Sequence, residues 1–514
     1  MVNRLYTAED IRQLDQLAIT QQGISAYELM CRAAESAWRH LLQRWPELDS
    51  LIVVCGGGHN AGDGYVLARL AIAAGINVSL LQLSDSTLFK GDVLTAYNDF
   101  VAVQGVSEVF NAETQLRSPS EQTVLVDALL GTGLTRPVEG LWLQAVQLIN
   151  QSGLAVLAMD IPSGLDADTG CELGTAVKAD MTVTFIGAKQ GMYTANGRDC
   201  CGKIILDCLG LQQSNDTNTD TDSVCASVSS DLATVKLLNK SCLKKIGPRW
   251  HSSHKGCHGH VLVVGGIAGF SGAVFLAAMA AMRVGAGLVS IATDPFHAAL
   301  LDTQIPEVMC HAVSSRAELK VLLTQADVIV VGPGLGQQDW SRLMLEEVIQ
   351  CEQPLVIDAD ALNLIGSDVS FNYQSTKHNR IMTPHPGEAA TLLSASSAEV
   401  QQNRFASVIK LVERYQSTFV LKGSGSLVTP YDAKKPATTW VCPLGNPGMA
   451  TAGMGDILSG VIASLLAQGL SVAEASKAGV LVHAYAGDLA ATMGQRGLIA
   501  SDLLSCLRTV VNNE

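Results

Sequence analysis

Charge is scarce in this chain: only 16% of its 514 residues are Asp, Glu, Lys or Arg, and their formal balance is −14. An acidic excess repels both nucleic acid and anionic membrane, so neither is expected as a main partner. A nucleotide ligand stays admissible, because a Gly-rich loop holds phosphate locally whatever the net charge. No CxxC pair occurs among the thirteen cysteines, and Cys200-Cys201 with the scattered remainder suit reduced thiols, not a disulfide framework. His251, His254, Cys257, His258 and His260 form a denser knot where zinc is conceivable, but no second cluster at finger spacing completes it. The opening Met1-Val-Asn-Arg-Leu-Tyr has no apolar core of a signal peptide. No run of about eighteen uncharged apolar residues follows, and even Ala273 to Ile291 is broken by Arg283 and glycines. A soluble, cytoplasmic protein is expected. A Walker Gly-Lys-Ser/Thr is also missing, which excludes a P-loop enzyme.

What the chain does have is apolar residues, at 48%, and 47 glycines, a composition that suits helices packed closely on sheets. Its length exceeds one core and implies two or three domains. The sharpest break is Gln212-Gln-Ser-Asn-Asp-Thr-Asn-Thr-Asp-Thr-Asp-Ser223, too polar to bury a core of its own. The expected division is a domain over 1–211, a polar linker over 212–235 and a domain over 236–514. On both sides short β-branched runs alternate with helical patterns, the mark of parallel sheets. Strands are expected at 51–55, 78–83, 123–127, 155–160, 181–186 and 203–206, and then at 260–264, 288–292, 328–331, 355–357, 380–382 and 418–421. Helices are expected over 8–45, 65–74, 141–150, 457–468 and 474–491. Both halves read as doubly wound α/β, with ligands at the carboxyl ends of the strands.

Three loops in the first half follow strands directly: Gly56-Gly-Gly-His-Asn60-Ala-Gly62-Asp63-Gly64, Asp127-Ala-Leu-Leu-Gly131-Thr132-Gly133-Leu-Thr135-Arg136-Pro137, and Asp160-Ile-Pro-Ser163-Gly164-Leu-Asp166. A lone strand-end Asp is most often a cap or turn former. Three such loops at strand ends favour a shared crevice, where Asn60, Asp127, Asp160 and Ser163 converge. Oxygen donors without a Cys/His set suit a hard cation, or a sugar and phosphate, and not zinc.

The second half carries Gly265-Gly266-Ile-Ala-Gly269-Phe-Ser271-Gly272-Ala273, Val331-Gly332-Pro-Gly334-Leu-Gly336, Asp358-Ala-Asp360-Ala-Leu362-Asn363, Thr383-Pro-His385-Pro-Gly387-Glu388 and Leu421-Lys422-Gly423-Ser-Gly425-Ser426. The first turn either admits a ligand to the backbone or serves close helix packing. His385, stiff between two prolines, orients a substrate or is structural. Lys422 is placed to clamp a phosphate with the following amides. Glu388 and Asp358 are candidates for outer-sphere magnesium contacts through water.

The most specific stretch is Asn446-Pro-Gly-Met-Ala-Thr-Ala-Gly-Met-Gly-Asp456, which runs into an apolar helical pattern. A Gly-x-Gly at a helix start presents bare N–H groups and the positive helix end to an anion. An Asp beside that anion makes sense if it handles a proton, so Asp456 would draw the proton from an attacking hydroxyl while Gly453, Met454 and Gly455 hold the developing charge. The helix dipole should lower the Asp456 pKa and leave it a poor free base, effective only in concert with attack on phosphorus.

This pattern resembles the C-terminal signature of the ribokinase-like superfamily, most closely its hydrated-NAD(P)H dehydratase branch. Residues 240–510 look like the ADP-dependent (S)-NAD(P)H-hydrate dehydratase family, and residues 1–210 resemble the NAD(P)H-hydrate epimerase family, which implies a ribokinase-like fold after a Rossmann-like one. The implied work is epimerisation of the R and S hydrates of NADH and NADPH, then ADP-dependent dehydration of the S form with release of AMP and phosphate. In the epimerase half the resemblance implies a potassium ion on Asn60, Asp127 and Ser163. It implies substrate contacts at His59, Asn60, Ala61, Gly62, Asp63, Gly131, Thr132, Gly133, Leu134, Thr135, Arg136, Pro137 and Asp160, with Asp160 handling the proton. The usual loop has Asn-Asn where this chain has His59-Asn60, so one substrate contact differs. In the dehydratase half the implied hydrate contacts are Ala273, Gly334, His385 and Asp456, with magnesium as the metal. The implied nucleotide contacts are Lys422, Gly423, Ser424, Gly425, Ser426, Asn446, Gly448, Gly453, Met454 and Gly455. The expected partners are these hydrates and ADP, in a homo-oligomer. Two other readings stand: a small-molecule kinase, which shares the Gly-x-Gly-Asp logic, and a binding scaffold, since similar N-terminal folds occur in RNA-decapping proteins.

Overall fold

The computed structural model describes residues 4–116, 120–211, 234–245, 247–304, 306–367, 371, 373, 379–435 and 438–512. The chain divides into two compact units, Met1–Val235 and Lys236–Glu514. The polar stretch at 212–223 lies outside the described residues. Among those described, no helix is long and apolar enough to cross a membrane.

The first unit contains β1 (Arg4–Tyr6), β2 (Ser50–Cys55), β3 (Asn77–Gln82), β4 (Ser107–Val109), β5 (Thr123–Ala128), β6 (Ala155–Met159), β7 (Met181–Phe185), β8 (Ala188–Lys189) and β9 (Lys203–Asp207). Seven of these form a sheet in the order β4-β3-β2-β5-β6-β7-β9, parallel at every pairing. Strands β2, β5 and β7 are buried along their whole length, as strands covered by helices on both faces must be. The strand order reverses between β2 and β5, so the crevice of a doubly wound sheet opens at their carboxyl ends. Leu5 and Tyr6 of β1 pair separately, in parallel, with Ala188 and Lys189 of β8.

The helical preface expected over 8–45 is two helices, Ala8–Gln22 and Ala26–Arg44. A Thr7/Asp10 capping box starts the first, Gly23 in the left-handed region (φ 65°) ends it, and Ser25 caps the second. A second correction concerns the Gly56–Gly64 segment. Only its first three glycines are loop, because the helix begins at His59 rather than near 65 and runs to Ala73. Gly62 lies against Met30, and Gly64 against Ala128 and Cys55, where any Cβ would collide. Close helix–sheet packing therefore explains part of that glycine run.

In the second unit the strands are β10 (Val235–Leu237, across the division in sequence), β11 (His260–Val264), β12 (Leu288–Thr293), β13 (Met309–Ala312), β14 (Val328–Val331), β15 (Leu355–Ile357), β16 (Arg380–Met382), β17 (Thr418–Leu421), β18 (Leu427–Thr429) and β19 (Thr439–Val441). Nine of them, β11 to β19, run in the order β13-β12-β11-β14-β15-β16-β17-β18-β19. Pairing is parallel through β17, and antiparallel for β18 and β19. The order reverses between β11 and β14, whose exits are the Gly265–Gly272 and Gly332–Gly336 turns. Strands β4, β13, β18 and β19, which the sequence pattern does not announce, are three or four residues each, too short for a periodic signal.

The apolar helix that follows the signature, Met454–Ala467, packs on Ser271–Val284. Their closest approach uses Gly460, where an added Cβ would lie 2.1 Å from the Ala277 carbonyl oxygen. Gly460→Ala should therefore force the helices apart and cost about 1–3 kcal/mol of second-unit stability. Denaturant unfolding tests this, and an unchanged or raised midpoint would contradict it.

Candidate functional site

At the first unit's switch point, Asn60 enters on the first turn of its helix and Asp127 at the end of β5. Asp127 is fully buried and accepts hydrogen bonds from the backbone of Leu129 (3.2 Å) and Ser163 (2.8 Å) and from the Ser163 hydroxyl (2.6 Å). Burial pushes its pKa up to about 6, although those bonds favour the charged form. Asn60 Nδ2 donates to the Leu130 carbonyl (3.1 Å), which leaves the buried Oδ1 with no partner among the described residues. A buried acceptor left unmatched beside a buried carboxylate is what a bound cation would satisfy. A Cβ on Gly131 would lie 3.5 Å from that of Asn60, whereas Gly133 and Thr135–Pro137 run out to the exposed surface. His59 is exposed, and Ala61 and Gly62 are buried on the helix.

A second charged group gathers around Lys189, which is completely buried. Its ammonium donates to Asp160 Oδ1 and to the Thr184 hydroxyl (2.8 Å). Asp160 also accepts from Thr184 Oγ1 (3.2 Å) and the Phe185 amide (3.2 Å). Asp160 and the β-branched Ile186 both sit in the left-handed region, each with φ 64°, backbone strain of the kind that clusters at functional sites. Two further carboxylates feel this group. Burial raises Asp15 to about 6, opposed by Lys189 and reinforced by Asp160. Asp63 is raised well above the usual carboxylate range by burial, then by Asp160 and Asp15. One lysine thus faces three acids. Lys189 and Asp15 escape the sequence reading, since neither lies in a Gly-rich loop.

In the second unit, Asp358 leaves β15 fully buried, with one oxygen on Lys422 Nζ (2.7 Å) and the other on the Ser459 hydroxyl (2.7 Å). Burial alone would raise Asp358, but Lys422 and these hydrogen bonds hold it below the usual range. Burial disfavours the Lys422 cation, yet Asp358 and Glu388 raise its pKa above the ordinary lysine value. Glu388 lies 3.6 Å from the same ammonium, and burial, with Asp358 nearby, pushes it up to about 7. His385 caps the Pro386–Leu393 helix: its Nδ1 accepts from the amides of Gly387 (2.9 Å) and Glu388 (3.2 Å). Nε2 therefore carries the proton and faces Glu388 Oε1 at 3.3 Å. Burial and Lys422 lower the His385 pKa, so the ring is neutral.

Asp456 stands on the first turn of the Met454–Ala467 helix. The helix dipole was expected to lower its pKa. Burial, then Asp358, Glu388 and Asp360 raise it instead, to about 7, against the pull of Lys422. Desolvation and three acids outweigh one helix end. Gly455 lets the helix start approach Lys422 closely: a Cβ there would lie 3.1 Å from Nζ. Ala273 and Gly334 meet at the switch point, where a Cβ on Gly334 would come 3.2 Å from that of Ala273. Asp360 receives the Gly336 amide (2.8 Å) and so fixes that turn. Asn446 is fixed by Asp488, to which it donates (2.9 Å), and by accepting from Gly448 (3.0 Å). The sequence reading did not include Ser459 or Asp488, which lie inside helices without a local motif.

Among the described residues no set of three His, Cys, Asp or Glu side chains is arranged to hold a metal. In the knot near residue 258, His258 faces Ser253 (3.2 Å), and His260 faces Ser290 (2.8 Å) and the Gln325 carbonyl (3.0 Å).

Comparison with known proteins gives a match to each half. A family described as YjeF-related protein N-terminus matches residues 26–191, and one described as NAD(P)H-hydrate dehydratase matches residues 261–509. A bifunctional NAD(P)H-hydrate repair enzyme of Coxiella burnetii is 45% identical over 99% of both chains. The enzyme of that name from Escherichia coli is 40% identical over 99% of this chain and 94% of its own. A solved structure of an ADP/ATP-dependent NAD(P)H-hydrate dehydratase from Bacillus subtilis, co-crystallised with ATP and Mg²⁺, is 27% identical, with a TM-score of 0.46 over 51% of this chain and 92% of its own.

The crowding at Asp456 has a consequence for stability. Between its ordinary value of 3.8 and about 7 the folded protein holds a proton that the unfolded chain has lost, so stability falls as pH rises through that window. Asp456→Asn removes the ionisation. Thermal unfolding should show the variant matching wild type below pH 4 and exceeding it above pH 7. A constant difference across the range would contradict the raised pKa.

Proposed function

The chain belongs to the bifunctional NAD(P)H-hydrate repair enzymes, which epimerise hydrated NADH and NADPH and dehydrate them at the expense of a nucleotide, and we propose that the two buried lysine–carboxylate groups are its two reaction centres. The observation that carries this assignment is Asp456, a carboxyl held near neutrality beside Lys422 at a glycine-rich helix start.

In the second unit Asp456 takes the proton of the C6 hydroxyl as that oxygen attacks the terminal phosphate of ADP. A C6–O–P bond forms, the bond between the two ADP phosphates breaks, and AMP leaves. The ring nitrogen of the hydrate, a tetrahydropyridine, then expels phosphate from C6, and loss of a proton from C5 restores the C5=C6 bond, which yields NAD(P)H. A carboxyl titrating near 7 is a better base at neutral pH than a helix-terminal Asp of ordinary pKa. Lys422 and the amides of Gly423–Ser426 and Gly453–Gly455 hold the phosphates, and His385, Ala273 and Gly334 border the hydrate. Asp358 accepts from Lys422 and Ser459, Glu388 faces His385, and among the described residues no three acidic, His or Cys side chains are arranged to hold a metal directly. Water-mediated contact is the geometry these acids offer magnesium, which would supply charge neutralisation to the phosphates.

In the first unit Asp160, held by Lys189 and Thr184, moves the proton as the hydroxyl leaves and returns at C6. The unmatched Asn60 oxygen, with Asp127 and Ser163, supports a potassium site: mostly neutral oxygens suit a weakly hydrated monovalent ion. The ion would order the strand ends that carry Gly131 and Asn60.

Asp456→Asn should lower dehydration of the S hydrate by about two to four decades while ADP still binds and epimerisation continues. Restoration of the dihydropyridine absorbance follows the reaction, and unchanged turnover removes Asp456 from the chemistry. For the ion, exchange of sodium for potassium should raise the thermal midpoint of wild type. Asp127→Ala should abolish that response and slow epimerisation, with S-hydrate dehydration intact. A potassium response that survives the substitution places the ion elsewhere.

A further inference from the structure

The loop Lys422–Ser426 joins antiparallel β17 and β18, whose last pair is Leu421 and Leu427. Beneath it lies Arg404, the first residue of the Arg404–Tyr415 helix and completely buried. Its Nη1 donates to Gln401 Oε1 (2.7 Å), and its Nη2 spans the carbonyls of Leu421 (3.3 Å), Lys422 (3.3 Å) and Gly425 (3.5 Å). Gly423, at φ 137°, makes room for the guanidinium, since a Cβ there would lie 2.8 Å from Nη1. A trans peptide points its C=O and the following N–H in opposite directions. With the Lys422 and Gly425 carbonyls turned in towards Arg404, the N–H groups of Gly423 and Ser426 turn out. Neither N–H has an acceptor among the described residues, and Gly423 is exposed. The Ser426 hydroxyl closes the loop on the Gly423 carbonyl (3.1 Å). Outward N–H groups over a permanent buried cation form a concavity for an anion.

We infer that Arg404 is a positioning residue for the nucleotide: by holding the carbonyls of the 422–426 loop inward it aims the Gly423 and Ser426 amides at a phosphate group of ADP. The inference rests on the reading that this loop binds nucleotide, and it concerns a residue that itself touches none. Lys could keep the charge, but its single nitrogen cannot bond Gln401 Oε1 and the three loop carbonyls at once, as the two Nη atoms of the guanidinium fork do.

The test measures steady-state dehydration of (S)-NADH hydrate by the full-length protein, varying ADP and hydrate separately. Arg404→Met should raise KM for ADP about tenfold or more, a loss of one good charge-oriented contact, with a change below threefold in kcat and in KM for the hydrate. Arg404→Lys should share most of the ADP defect; a wild-type KM in that variant would overturn the positioning role in favour of charge alone. Equal loss in kcat and in both KM values, or no loss at all, would also overturn it. If Arg404→Met does not fold, Gln401→Ala, which frees only Nη1, should give a smaller rise in the same KM, and an unchanged KM there overturns the proposal. A wild-type protein that neither binds ADP nor dehydrates the hydrate would sink the nucleotide reading itself, an outcome distinct from the other four.

Discussion

The second unit is organised around one buried ion pair, Lys422 with Asp358. Asp358 accepts from the ammonium on one oxygen and from Ser459 on the other, and Lys422 with these bonds keeps it charged. The remaining reach of Lys422 is shared by Glu388 and Asp456, and one cation cannot hold three buried anions. The surplus appears as two carboxyls near neutrality, each able to exchange a proton at physiological pH. Buried ion pairs contribute little net stability compared with apolar packing. Such a pair is better understood as the device that fixes where the surplus protons sit.

The first unit solves a related problem with the same parts. Lys189 is buried against Asp160 and Thr184, and Asp15 and Asp63 sit within its field with raised pKa values. Here the backbone is strained as well, at Asp160 and Ile186, so the lysine reaches the strand end from a two-residue strand beyond β7. Both groups lie at the carboxyl ends of parallel strands, as open α/β sheets dictate. They differ in what adjoins them: a set of neutral oxygens at Asn60 and Ser163 in one, and glycine-rich amides in the other. That difference matches reactions in which no phosphate moves and in which one does.

Much of this was readable from the residues. Strands such as 261–264, 328–331 and 355–357 are continuous apolar runs of Val, Ile and Leu because they are buried on both faces, and their ends mark the site loops. The segment from His59 to Gly64 reads as loop because Gly and Asn are poor helix formers, whereas tertiary packing against Met30 and Ala128 makes it helical. The Asp456 pKa could not be read from its helix position. The groups that raise it, Asp358, Glu388 and Asp360, arrive from other strand ends and a local rule does not see them. Lys189 and Arg404 were invisible for the same reason. Each looks like an ordinary surface cation until the topology buries it.

Asp456 holds its proton up to near neutrality because of its neighbours. Infrared difference spectroscopy of the full-length protein, with Asp456→Asn as the subtraction reference, observes that proton directly. The protonated-carboxyl band of Asp456 should persist up to a midpoint near pH 7. A band that is gone by about pH 4.5, the range of an unperturbed aspartate, would contradict it.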